Sequence, residues 1–341
     1  MTIVPTPARI VVIGSVFSSQ RTLDGLLRHR APVVGVLGLD PAASSGVSGY
    51  RDLGPVAAAA GIDHRTFRRL SEPDVAQQLR TWAPDLVFVV GLSQLVGDEL
   101  LSIPSNGFVG FHPTALPEGR GRAPIAWLVL ESARPAATFF LLDDGVDSGP
   151  ILHQEPIDGD PHDAASDLQH KISAAIDRGL DAWLPRLMAG EASARAQDET
   201  AATYRGRRAE RDGRIDWAAP AEQIDRLVRA SSHPHPGAYT YADGARVRVW
   251  TTELADGRHR GVPGRVLARR PVDGAVLVQA GDDPIWLVDH QLEPPGDELR
   301  IGAALGYRAD DEIHELRQRV AALEARLDAV EPSPRSSAVD R

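Results

Sequence analysis

Arg9-Ile-Val-Val-Ile-Gly-Ser15 and Val33-Val-Gly-Val-Leu-Gly-Leu39 are the two stretches from which the fold is read. The first is a β-branched run that ends in glycine and a polar turn. A helix-like stretch over 22–29 then leads into the second, so the order is strand, helix, strand. Both runs are apolar almost throughout rather than at alternate positions, as expected of strands buried on both faces. Moving outward, helical patterns at 53–60 and 74–82 alternate with strand candidates at 86–90 and 107–111. This order predicts an α/β domain with a doubly wound, mostly parallel sheet. In such sheets ligands lie beyond the carboxyl ends of the strands, which directs attention to 91–95 and 112–122. Gly14 alone is not the three-glycine dinucleotide fingerprint, so a nicotinamide cofactor is not expected.

A helical stretch over 161–188 is followed by a segment without periodicity, read as a linker. Beyond it come a helix at 220–230 and five short runs at 238–241, 247–250, 264–267, 275–278 and 285–290, separated by Gly- and Asp-containing turns. These predict a small antiparallel β-barrel. Near the carboxyl end Ile313, Leu316, Val320, Leu323, Leu327 and Val330 recur at alternating spacings of three and four, the a/d seam of an amphipathic C-terminal helix. Such a narrow stripe favours self-association into a homo-oligomer over docking on the same chain. The expected organisation is a catalytic domain at 1–190, a linker at 191–215, a barrel-like domain at 216–306, an amphipathic or coiled-coil helix at 308–331 and a disordered tail at 332–341.

Among the 341 residues, 37 Lys+Arg stand against 47 Asp+Glu, a net charge of −10. That gives no basic footprint for a polyanion or an anionic membrane. The absence of cysteine excludes disulfides, thiolate metal sites and a cysteine nucleophile, and makes the cytoplasm the expected compartment. Lys171 is the only lysine, so a catalytic lysine elsewhere is excluded. Neither a signal peptide nor a membrane span is expected. His233 and His235 lack a third ligand at suitable spacing, and no metal is expected. Arg205, Arg207, Arg208 and Arg211 form a basic cluster, open between a solvated face and a phosphate contact.

The chemistry concentrates in two segments. In 107–127 a strand delivers His112 to its end, and a Pro- and Gly-rich loop follows. In 138–152 a strand enters an acidic turn with Asp143, Asp144 and Asp147. A histidine at a strand end with an aspartate on a Gly-rich turn is the minimum for general acid–base work. The same pair also fits a packed histidine and an ordinary Asp-Gly turn, and the residues alone leave both readings open.

At these residues the chain resembles the folate-dependent formyltransferases. His112-Pro-Thr-Ala-Leu-Pro117, Arg120-Gly121 and Pro124-Ile-Ala-Trp127 match the loop of that family, and Asp143-Asp-Gly-Val-Asp-Ser-Gly-Pro-Ile151 matches its second motif. Asp212-Gly-Arg-Ile-Asp-Trp217, the stretch 224–229 and Pro236-Gly-Ala-Tyr-Thr240 resemble the linker and second domain of the two-domain members. The resemblance covers about residues 9–305. It implies a Rossmann-like formyltransferase fold, 10-formyltetrahydrofolate as co-substrate, and His112 and Asp147, 35 positions apart, as catalytic residues. It further implies a folate site at Gly91, Leu92, Asp143, Asp144, Gly145 and Val146, and a substrate loop at Arg120, Gly121 and Arg122.

One departure stands out: the family places an oxyanion-binding Asn two residues before the histidine, and this chain has Gly110 there. The lost side chain is expected to leave space or a water, with Thr114, Gln94 or Ser93 as replacement donors. Three outcomes stay open: a compensated formyltransferase, a transferase of another acyl group, and a non-catalytic assembly protein. The stretch that follows the second strand, Asp40 to Tyr50, carries no positive charge, which argues against tRNA and for a small primary amine or hydroxylamine, such as an amino-sugar nucleotide or an amino-acid derivative. A methionyl-tRNA formyltransferase is the alternative.

Overall fold

The computed structural model describes residues 2–296, 298–307 and 309–330. The tail expected to be disordered, 332–341, lies outside them. The central sheet contains β1 (Ile10–Gly14), β2 (Val33–Leu39), β3 (His64–Phe67), β4 (Leu86–Val90), β5 (Phe108–Thr114), β6 (Pro135–Leu141) and β7 (Ile151–Pro156). Their spatial order is β3-β2-β1-β4-β5-β6-β7. The first five run parallel, whereas β6 pairs antiparallel with both β5 and β7. The sheet is therefore mostly parallel with an antiparallel edge. The order reverses between β1 and β4, where the crevice of such a sheet opens.

The apolar runs explain the layers. Ile10 and Val12 pack with Leu23, Leu26 and Ile176 on one face, while Val11 and Ile13 pack with Leu79 and Trp82 on the other. Those partners come from α1 (Phe17–Arg28), α3 (Pro73–Trp82) and α6 (Ala165–Met188). Between them lie α2 (Gly54–Ala59), α4 (Asp98–Leu101) and α5 (Pro124–Glu131). Two details depart from the sequence reading. The strand anticipated at 107–111 continues to Thr114, so His112 is held within the ladder opposite Thr138. The polar strand His64–Phe67 was not anticipated, because an edge strand needs no apolar period on its open side.

After α7 (Ala221–Ser231), the strands β8 (Ala238–Ala242), β9 (Ala245–Leu254), β10 (Val266–Arg269), β11 (Val276–Gln279) and β12 (Pro284–Glu293) form an antiparallel sheet ordered β8-β9-β12-β11-β10. Its apolar face carries Val247, Val249, Val276, Val278, Ile285 and Leu287, packed with Ile224 and Val228 of α7. Segment 302–306 reaches both edges: Leu305 bridges to Ala242 of β8, and Ala304 bridges to Arg265 just before β10. Helix α7 also joins the two bodies, because Ala230 belongs to the core of the first. Its Arg229 donates to the carbonyls of Pro161 and Asp163. The final helix, α8 (Ala309–Val330), is exposed at every position from 309 to 327. No helix among the described residues is long and apolar enough to cross a membrane.

Candidate active site

His112 sits at the carboxyl end of β5 with 5% of its surface exposed. Its Nε2 lies 2.8 Å from the carbonyl oxygen of Gly119. A carbonyl only accepts, so Nε2 carries a proton and donates it there. That leaves Nδ1 as the ring atom free to take or give a proton, and Nδ1 faces Asp147 Oδ2 at 3.6 Å. This separation is beyond a hydrogen bond, so the two groups face each other without either committing its proton site to the other.

Asp147 is fixed from two sides. The Gly121 N–H donates to its Oδ2 at 2.8 Å. Its backbone lies in the left-handed region, φ +51°, which costs energy in a non-glycine residue. The Gln197 amide offsets that cost by donating to the carbonyls of Asp147 and Gly149 at 2.8 and 2.7 Å. Gln197 is in turn held by Arg120, whose Nε and Nη2 donate to its Oε1. Arg120 is wholly buried. Its guanidinium makes a two-pronged contact with Glu199 at 2.7 and 2.9 Å and donates to the Tyr204 hydroxyl at 2.7 Å. The hydrogen bonds to Glu199 hold the Arg120 pKa above its ordinary value and the Glu199 carboxyl below its own.

The loop after His112 owes its shape to the stretch 203–205. Arg120 and Gly121 pair in parallel with Tyr204 and Arg205, and Gly119 N–H donates to Thr203 Oγ1 at 2.8 Å. Gly121 has φ +111°, and a Cβ there would lie 2.4 Å from the Arg205 carbonyl oxygen, so only glycine fits. Thr203, Tyr204, Gln197 and Glu199 are functional supports that the sequence reading placed in a featureless linker. A lone tyrosine in a polar stretch was the one local signal.

Several expected residues take other parts. Arg120 is buried and spends its donors on Gln197, Glu199 and Tyr204, which makes it the post on which the Asp147 turn and the loop are hung. Arg122 is exposed beside it. Gly110 leaves neither space nor a water, because a Cβ at that position would lie 2.6 Å from Leu142 Cδ2 and 2.9 Å from Phe140 Cζ. Those two apolar side chains fill the place where the family carries an amide. Thr114 is buried and donates its hydroxyl to Glu118 O at 2.7 Å. Gln94 is clasped to another segment, accepting from Leu70 N–H and donating to Arg68 O. Both side chains are thereby committed elsewhere and do not replace the amide. Ser93 is exposed.

The cluster expected for folate divides. Gly91, φ +61°, is packed against Val16 and Ser18, and its carbonyl accepts from Ser15 Oγ at 3.0 Å. Leu92 beside it is half-buried. Across the site, Asp143, Asp144, Gly145 and Val146 form an exposed turn. Asp143 Oδ1 accepts from Gly145 N–H and Ser148 Oγ and so shapes the turn. Val146 is half exposed. Among the described residues, the backbone N–H and C=O groups of Asp144 and Val146 have no hydrogen-bond partner. An apolar side chain beside unpaired donors and acceptors fits a flat, polar-edged ring. No cluster of potential metal ligands occurs among the described residues.

Of the basic cluster, Arg205 is occupied by Glu131 and the Tyr204 carbonyl. Arg208 lies over the Trp127 ring and donates to Asp212 O. Arg207 and Arg211 are exposed. Burial pushes the His235 pKa down to about 4, so that ring is uncharged at neutral pH.

Comparisons with known proteins show the family to which the chain belongs. Residues 8–182 match a family model described as formyl transferase, and residues 209–297 match one described as formyl transferase, C-terminal domain. The methionyl-tRNA formyltransferase of Chloroflexus aggregans is 33% identical over 300 residues, 87% of this chain and 96% of that protein. Tetrahydrofolate-bound HypX from Aquifex aeolicus superposes with a TM-score of 0.59 at 18% identity, over 83% of this chain and 44% of that one. An N-formyltransferase from Helicobacter canadensis, solved with folinic acid and dTDP-3-aminofucose, gives 0.59 at 14% identity, covering 82% and 98%. The last two are likenesses of fold. The first removes the ground for setting tRNA aside on net charge, since a tRNA-modifying relative matches along nearly its whole length.

Proposed function

The chain belongs to the formyl transferase family, and from that premise we propose that it transfers the formyl group of 10-formyltetrahydrofolate to the nitrogen of an uncharged primary amine or hydroxylamine. The observation that carries this reading is the His112–Asp147 pair at the end of β5, with Nδ1 and Oδ2 facing each other at 3.6 Å. When bound, the folate supplies an electrophilic formyl carbon and a leaving nitrogen. The exposed 143–146 turn and Leu92 would hold its ring. Asp147, with Oδ2 held by Gly121, takes up the proton of the attacking amine. His112, charged with a proton on each ring nitrogen, passes the Nδ1 proton to the leaving nitrogen while Nε2 stays anchored on Gly119, and the proton held by Asp147 then restores Nδ1. Leu142 and Phe140 exclude water from the Gly110 side, so charge on the formyl oxygen is met by His112 without a side-chain amide.

For the acceptor, the reading is a small amine metabolite such as an amino-sugar nucleotide or an amino-acid derivative, supported by the segment 40–50 that carries no cation and packs through Gly49 near Pro234 and Gln169. The second reading, methionyl-tRNA, is favoured by the relative at 33% identity. Tetrahydrofolate release from 10-formyltetrahydrofolate, followed with amine panels and with methionyl-tRNA, decides between them. Calorimetric titration with 5-formyltetrahydrofolate is expected to show saturable binding that Asp147→Ala weakens. Absence of binding at millimolar ligand would move the reading to another acyl donor or to a non-catalytic role. The five-stranded second domain, its edges joined through 302–306, is read as a barrel-like support for the acceptor side.

A further inference from the structure

Among the described residues, α8 carries a row of five exposed large apolar side chains. Ile313, Leu316, Val320, Leu323 and Leu327 are between 47% and 66% exposed, and they lie on one stripe of a helix of 22 residues, about 33 Å long. A single helix of this length is marginal in water, and most helical stability comes from packing its apolar face. We propose that α8 pairs with α8 of a second copy of this chain, side by side, in register and parallel.

The alternating spacing assigns Ile313, Val320 and Leu327 to a and Leu316 and Leu323 to d. β-Branched residues at a with leucine at d, as in the first two heptads here, favour two parallel strands. The flanking charges specify the partner. Position g of one strand meets position e of the next heptad on the other. In a parallel pair this sets Glu312 against Arg317 of the second copy, and Arg319 against its Glu324. In the sequence Arg326 and Glu331 continue the same relation. Every such pair is attractive. A fully overlapping antiparallel pair would instead set Arg319 against Arg326 of the second copy, which repel. The outward positions carry His314, Gln318, Ala321 and Ala325; Gln318 and His314 contact each other at 2.9 Å one turn apart. Seam and edges are thus self-complementary, whereas an unrelated partner would have to supply the matching charge order.

The test is sedimentation of the full chain across a concentration series, with formyl transfer playing no part in the readout. The native protein is expected to show a reversible dimer. Leu316→Glu/Leu323→Glu is expected to be monomeric at every concentration while keeping the melting transition of its folded bodies, because those positions are solvent-exposed within one chain. Glu312→Arg/Arg319→Glu and Arg317→Glu/Glu324→Arg are each expected to self-associate at least about tenfold more weakly, and an equimolar mixture of the two to recover native affinity. A native chain that stays monomeric at hundred-micromolar concentration overturns the proposal, as does a dimer indifferent to Leu316→Glu/Leu323→Glu. Charge variants that show no gain on mixing overturn the parallel arrangement.

Discussion

The two walls beside His112 are held by different physics. On one, Asp147 is set in a strained turn by polar contacts from Gly121 and Gln197, and behind them stand Arg120, Glu199 and Tyr204. On the other, Gly110 is walled in by Leu142 and Phe140, and no polar side chain takes the place of the family's amide. The wall proposed to handle protons is over-determined by hydrogen bonds, while the wall where carbonyl charge would be stabilised is apolar packing. A buried polar network is worth keeping only if every member is satisfied, and the Arg120 network meets that condition. A buried amide without its ligand does not, and an apolar filling removes that cost.

The contrast can be broken most severely at the reacting pair. His112→Asn and Asp147→Asn are each expected to lower kcat/KM by about 10² to 10⁴, measured by tetrahydrofolate release. Asn tolerates the left-handed backbone at position 147, so folding is expected to survive. A loss under tenfold at Asp147 would mean that the polar wall is only scaffolding.

Next in size is the post behind that wall. Arg120→Met leaves the Gln197 oxygen without its donor and Glu199 without its cation. The expected cost is about 2–4 kcal/mol in urea unfolding, below the full figure for a broken buried ion pair because Glu199 itself faces solvent. Acid sensitivity sharpens the assignment. The Glu199 carboxyl is held below its ordinary 4.5 by the Arg120 hydrogen bonds, so its contribution is present above that pH and is lost as the pH falls through the lower native value. In Arg120→Met that acid limb of the stability profile is expected to vanish.

The smallest effect is expected on the apolar wall. Gly110→Asn pushes a Cβ into Leu142 and Phe140 and is expected to cost about 1–3 kcal/mol by overpacking, with reduced turnover. Gly110→Asn/Leu142→Ala removes the closer of the two clashes and is expected to recover part of the stability. If the double variant turns over faster than the native protein, the apolar wall is a lost donor site. If it stays slower, the wall belongs to the reaction.

Much of this was legible before any coordinate. The apolar runs of β1, β2 and β4 lie where they were read, because burial on both faces leaves a continuous local record. His112 and Asp147 were singled out from their motifs and meet across the site. The support of Asp147 was not legible: Gln197, Glu199 and Tyr204 have no period, and they matter only because their segment lies against Arg120-Gly121. Arg120 illustrates the limit, since an arginine in a Gly-rich loop looks solvent-facing until the stretch 197–204 closes over it.

What the sequence determined by itself are the properties that repeat along the chain: strand and helix periods, the heptad edges of α8, the order of motifs. Only the tertiary structure decided what stands beside what. Whether Gly110 leaves a void depends on Leu142 and Phe140, about 30 residues away on the neighbouring strand and the turn beyond it. Close packing lets a missing side chain be filled from any direction, and direction is a property of the fold.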